Sequence, residues 1–258
     1  MNLTEQLTRF ARSGLWLLTL SAVALGSASA AACGCGFDPM RALGLASLAL
    51  GTHVGLHLLA GGREAVTWGR TLFGLVAMGG LLLAVRSSGD LLALGLAAMG
   101  LAWAWHLWQQ RNANHHLDPA WAGLLAWLTV MSADHVQRLQ FFLIPAVGAV
   151  SFAGLVAAVA VTAPANHHAA SARRLRWLTH LGLSTVSHAW LLITVYLLIP
   201  PTTALWALWS WPLSLAAVTV GAGWPQHHAA QTWGHRLALA AACLHALAMA
   251  TGLWLLAP

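Results

Sequence analysis

Fourteen histidines stand against six acidic residues in this chain of 258. Imidazole is the commonest metal and haem ligand and the side chain that titrates nearest neutral pH, so the ratio points toward metal, haem or proton chemistry. His53 and His57 are four residues apart, which on a helix aims both rings the same way. That suits two ligands of one metal, or one ligand with a hydrogen-bonding companion. Helical rise of about 1.5 Å per residue places His53, His57, His106 and His180 at one depth, an inner tier. His188 and His245 fall at a second, outer tier. A haem iron needs axial imidazoles from different helices, so His53 or His57 with His106 or His180, and His188 with His245, are the pairings to expect. The tiers are about 12 Å apart along a helix axis, tight for two stacked haems, so one cofactor, haem b or copper, with a proton-handling group fits better.

The proton-handling candidates lie in the run Met131 to Gln140, where Asp134, His135, Gln137 and Arg138 interrupt apolar sequence. Asp134 and Arg138 are i,i+4 neighbours on one helical face, with His135 beside them. Ionisable groups are costly in hydrocarbon, so they pair with each other and mark function. Arg138 would also suit an anionic propionate or a quinone oxygen. This reading requires one helix from about Pro119 to Ile144. If the helix stops near Ala133, the run is a polar loop. With a continuous helix, Asp134 and His135 share the outer tier with His188 and His245.

Cys33 and Cys35, separated by a glycine, could hold a soft ion such as Cu(I), while Cys243 reads as a packing residue. Three cysteines imply no disulfide framework. Three loops resemble one another: Asn114-His115-His116, Asn166-His167-His168 and Gln226-His227-His228. They are either wet interfacial histidines or a metal-collecting rim. No phosphate-binding Gly-rich loop with Lys, no His-Glu-x-x-His zinc helix and no Cys-x-x-Cys-His haem attachment site occurs. The Asp134-His135 element lacks the preceding histidine of nickel and cobalt permeases. The His-His pairs lack the upstream histidine of membrane hydroxylases.

The elements that must position these groups follow from composition. Apolar residues make up 59% of the chain and charged residues 7%, with a mean hydropathy of +0.71. So few charges cannot cover a soluble globule, and the expected fold is all-α, a single polytopic transmembrane bundle over 1–258. Its apolar runs are Leu15 to Ala32, Leu43 to Ala60, Val66 to Val85, Leu91 to Gln109, Ala120 to Ile144, Val147 to Ala163, Leu175 to Ile199, Thr203 to Ala222 and Leu237 to Ala257. They make about nine spans, or eight if residues 1–32, which end in a small-residue run, are a cleaved signal peptide. Gly44, Gly51, Gly55, Gly95 and Gly100 offer close helix packing.

All twelve basic residues are arginine, mostly single between apolar runs apart from Arg173, Arg174 and Arg176, a pattern that fits topology-setting better than nucleic-acid binding. With the N-terminus cytoplasmic, Arg9, Arg12, Arg63, Arg70, Arg111, Arg173, Arg174, Arg176 and Arg236 fall inside and only Arg41, Arg86 and Arg138 outside. That puts the C-terminus and the Cys33 loop in the periplasm of a bacterial inner membrane. Trp103, Trp105, Trp108, Trp177, Trp224 and Trp233 fall near helix ends, where aromatic belts form. The function these features favour is a haem- or copper-binding membrane protein in electron transfer or in maturation of a respiratory or photosynthetic complex. A metal-ion or small-solute transporter or channel centred on Asp134 is one alternative. A non-catalytic structural or assembly subunit, with lipid and other subunits as partners, is another.

Overall fold

The computed structural model describes residues 4–5, 7, 14–59, 63–87, 89–111, 118–138, 143–163, 170–198 and 205–256. From residue 14 onward these form nine α-helices and one 3-10 segment, and no strand occurs among the described residues. The helices are α1 (Leu15–Ala32), α2 (Pro39–Leu59), α3 (Arg63–Ser87), α4 (Gly89–Arg111), α5 (Asp118–Arg138), α6 (Leu143–Val161), α7 (Ala170–Leu198), α8 (Ser210–Gly223) and α9 (His228–Trp254), with the 3-10 segment Leu205–Trp209 leading into α8. A backbone in hydrocarbon has no water to bond, so Leu- and Ala-rich runs close their hydrogen bonds within helices. Among the described residues, four stretches are long and apolar enough to cross a membrane: Leu15–Ala32, Pro39–Leu59, Ala172–Leu197 and His228–Trp254. Apolar side chains on α7 such as Leu175, Val186, Ile193 and Leu197 point outward, a surface that belongs in lipid. This is an all-helical, membrane-embedded protein.

Local signals set several helix ends. The Asp38 carboxylate accepts from the backbone N–H groups of Met40 (2.9 Å) and Arg41 (3.2 Å), an N-cap in front of Pro39 at the first helical position. Gly34 and Gly36 take positive φ of 74° and 76° in the α1–α2 turn, a conformation open to glycine at no steric cost. The fifth helix departs from expectation. It continues through Asp134 to Arg138 but not to Ile144, because Leu143 and Ile144 already belong to α6. Pro145 explains the boundary: inside a continuous helix its ring would clash with the carbonyl of Phe141, whereas in the first turn of α6 its missing N–H costs nothing. The ninth helix begins at His228, well before the expected Leu237.

α1 packs between α5 and α9, α6 between α5 and α7, and α8 against α7 and α9, while α2, α3 and α4 form a side group joined to α1 and α5. The main core joins Leu25, Val130, Phe152, Leu155, Leu191 and Met249 from five of these helices. Lipid tails are as apolar as leucine, so close contact rather than burial holds such helices together, and small residues mark the crossings. A Cβ at Gly26 would overlap the carbonyl oxygen of Val130 and lie 2.6 Å from Ala133 Cβ, which fixes α1 against α5. Gly51 and Gly55 serve the same purpose against Val76 and Phe73 of α3. Gly44 and Gly100 face open space, and the packing around Gly95 lies outside the described residues.

Candidate functional site

The polar run of α5 is inside the protein. Asp134 and His135 are fully buried, and Arg138 Nε donates to Asp134 Oδ1 at 2.8 Å. Arg138 Nη2 also donates to the carbonyl oxygen of Ser29 at 2.5 Å and to its hydroxyl at 3.3 Å. Gln137 is bonded in both directions to the backbone of Asp38, accepting at 2.9 Å and donating at 3.0 Å. Arg41 Nη1 donates to the Val136 carbonyl at 3.2 Å. These bonds tie the end of α5 to the end of α1 and the start of α2. The carbonyls left over at a helix C-terminus and the α1–α2 turn satisfy one another here.

His188 and His245 do meet, as their shared depth implied, with ring centroids 5.2 Å apart at 83°. Ser210, at the start of α8, sits between them, 2.7 Å from His188 Nε2 and 3.2 Å from His245 Nδ1. Ser151 of α6 lies 3.1 Å from His245 Nε2, and His188 Nδ1 donates to the Ser184 carbonyl at 2.7 Å. That carbonyl can only accept, which assigns the proton to Nδ1 of His188 and orders the chain. Ser151 donates to His245 Nε2, His245 Nδ1 donates to Ser210, Ser210 donates to His188 Nε2, and His188 donates to Ser184. The Ala207 and Gly148 carbonyls, 2.6 Å and 3.1 Å from the two hydroxyls, are alternative acceptors. All four ring nitrogens are thus engaged, and none is left for a metal as the rings now stand. Among the described residues α5 packs chiefly on α1, α2, α4 and α6, and not on α7, α8 or α9. The Asp134 cluster and the His188–His245 pair are therefore two separate polar centres, and they do not share the expected outer tier: with Gly123 against Ala153, Ser151 and its partner His245 lie level with about Leu125, roughly 13 Å along α5 from Asp134.

The inner histidines divide as well. His53 lines a cavity of about 370 Å³ enclosed by α1 to α6 and α9. Its walls are mostly Leu, Ala and Val, with Thr19, Thr52, Asp118, Thr129 and His235 among the polar exceptions. His53 Nδ1 is 2.9 Å from the Thr19 hydroxyl, which sets the ring plane. His57, one turn on, is partly buried and is not part of the cavity wall. His106 is buried in α4 with its ring 5.8 Å from that of Trp103. His180 is on the far side of the bundle, with Nδ1 2.9 Å from the Ala158 carbonyl. Equal depth did not bring His53, His106 and His180 together, because α7 packs on α6 and α8 and not on α2 or α4.

His235 is the cavity residue that sequence reasoning missed. The Thr162 hydroxyl donates to Val159 O at 2.8 Å and so accepts from His235 Nδ1 at 2.9 Å, which leaves the Nε2 lone pair as the ring's acceptor. The polar stretch before Leu237 reads as a loop by hydropathy. The signal that it is helical is the continuation of small residues at Gly234 and Ala238 on one face.

Trp177 is not a belt residue. It is buried between Gly221 of α8 and Gly234 of α9, where an added Cβ at Gly234 would lie 2.7 Å from its ring. Its Nε1 donates to Gln231 at 2.8 Å, and Gln231 in turn donates to the Gly221 carbonyl at 2.6 Å. Trp103, Trp224 and Trp233 are exposed, as a belt requires. Cys33 and Cys35 are exposed free thiols, and Cys243 is partly buried against the main core. The pairs His115-His116 and His167-His168 lie outside the described residues. Among the described residues, no three His, Cys, Asp or Glu side chains converge as a metal site. The chain matches no protein-family model, and no curated protein is significantly similar to it.

Proposed function

We propose that this is a protein of the bacterial inner membrane that holds haem b in the α1–α6/α9 cavity and takes part in electron transfer or in maturation of a respiratory or photosynthetic complex. The observation that carries the reading is an apolar cavity with two anchored imidazoles, His53 and His235, on its wall. Its volume is in the range of small-molecule sites, about 300–1,000 Å³. A ligating histidine typically has its other ring nitrogen held by a neighbour, as Thr19 and Thr162 hold these. Copper is the alternative occupant. It would draw on two or three close donor atoms, so the broad apolar wall favours a large flat ligand. Haem would supply one-electron chemistry; the protein's part is to bind it, orient it and keep water away.

The same proposal includes nine spans with the N-terminus cytoplasmic and the C-terminus periplasmic. Contact between the rings of Phe37 and Trp254, 5.0 Å apart, supports a shared side for the Cys33 loop and the C-terminal end of α9. The central packing of α1 supports its retention as a span. A transporter centred on Asp134 draws less support, because that carboxylate is engaged in holding α5 to α1. The test is an absorption spectrum with metal analysis of the protein purified in mild detergent from haem-replete cells. A Soret band that is lost in His53→Ala and weakened in His235→Ala is expected. Neither a Soret band nor stoichiometric iron or copper would overturn the proposal.

A further inference from the structure

α7, α8 and α9 contain polar groups that neither the cavity nor the His188–His245 pair uses. α7 and α8 run antiparallel, with His188 against Ser210 at one end of their contact and Trp177 against Gly221 at the other. That register places Ser184 level with Ser214. α9 runs parallel to α7, with His245 beside His188 and Gly234 beside Trp177, which brings Ala241 to the same level. Ser184, Ser214 and Ala241 are all buried.

The hydroxyls of Ser184 and Ser214 have no hydrogen-bond partner among the described residues, and neither has Nε2 of His180, one turn further along α7. Other buried hydroxyls of α7 do bond: Ser187 donates to Leu183 O at 2.7 Å and Thr194 to Trp190 O at 2.8 Å. Leaving a buried polar group unmade costs roughly 1–3 kcal/mol each. Three such groups at neighbouring levels of one interface, where α9 contributes only Ala241, supply the two to four polar partners that an ordered water needs. His180 sharpens the case. Its Nδ1 donates to Ala158 O, so Nε2 is a bare acceptor in want of a donor, which water supplies and a serine a turn away does not.

We propose that ordered water fills the α7–α8–α9 interface at the level of Ser184 and Ser214 and joins the Ser210 hydroxyl to His180 Nε2 as one proton-conducting path. The levels of His188 and His180 are about 12 Å apart, a gap that about four hydrogen bonds close with the two serine hydroxyls as intermediate stations. Conduction begins when the Ser210 O–H turns from His188 Nε2 to the first water; each hop then passes one proton from an O–H or N–H to the next lone pair while the acceptor releases another, so a proton received by Ser210 from His245 is matched by one delivered to His180 Nε2. His180 bonds Ala158 and His235 of the cavity wall bonds Thr162, one turn further along α6, so the path runs from the buried histidine pair toward the cavity. It stands whether or not the cavity holds haem.

The test uses the full chain, labelled with ¹⁵N-histidine, in lipid bilayers, and reads water-to-protein polarisation transfer by solid-state NMR. His180→Gln and His188→Gln identify the two signals by their loss. Both rings should receive polarisation from water, as the exposed His227 does. Ser184→Val with Ser214→Val should abolish transfer to His188 and leave His227 unchanged; if that pair does not fold, the native spectrum decides alone. Dry His180 and His188 rings in the native protein would mean that the two hydroxyls turn back onto their own helices, and the inference fails. It fails equally if only His180 is wet, or if the valine pair changes nothing.

Discussion

Ser210→Ala probes the buried histidine pair directly. The hydroxyl lies 2.7 Å from His188 Nε2 and 3.2 Å from His245 Nδ1, and its removal leaves the His188 nitrogen buried with no partner, while His245 keeps the backbone carbonyl of Ala207. For one orphaned group the loss is roughly 1–3 kcal/mol. Thr194→Val is the matched control. Thr194 is equally buried, but its hydroxyl only doubles the bond on the Trp190 carbonyl, so its loss strands nothing and costs about 1 kcal/mol or less. Unfolding in mixed micelles by titration with sodium dodecyl sulfate measures both variants against the native protein. A Ser210→Ala loss within about 0.5 kcal/mol of the control would refute the hydrogen-bonded chain, because surface-like indifference is the signature of a group with no dependants.

Arg138→Gln leaves the Asp134 carboxylate buried without its cation, where the pair's side chains are only 2% and 1% exposed. It should destabilise by about 3–5 kcal/mol, and adding Asp134→Asn should recover part of that, so that the double mutant loses less than the sum of the two singles in a double-mutant cycle. Gly182→Ala meets nothing within 4 Å and should stabilise α7 by about 0.5–1 kcal/mol. Gly221→Ala, which drives a methyl group into the Trp177 indole, should instead cost about 1–3 kcal/mol in the same unfolding assay.

Composition and the placement of apolar runs determined that this chain is helical and membrane-embedded, since a backbone in hydrocarbon has few other ways to satisfy itself. The same local chemistry showed where helices begin, as at Asp38-Pro39, and depth along each helix, because rise per residue is fixed. Depth correctly paired His188 with His245. What depth could not supply was azimuth. Helices such as α1 and α6 are apolar all round, so no polar face marks which side turns inward or which helix is the neighbour. Asp134, read as one tier with His188, is instead held by Arg138 beside Ser29 of α1, and His53 and His180, also read as one tier, stand in different halves of the bundle. Only the crossings at Gly26, Gly51 and Gly221, where a missing Cβ lets one helix pair approach and excludes others, decided which imidazoles face each other.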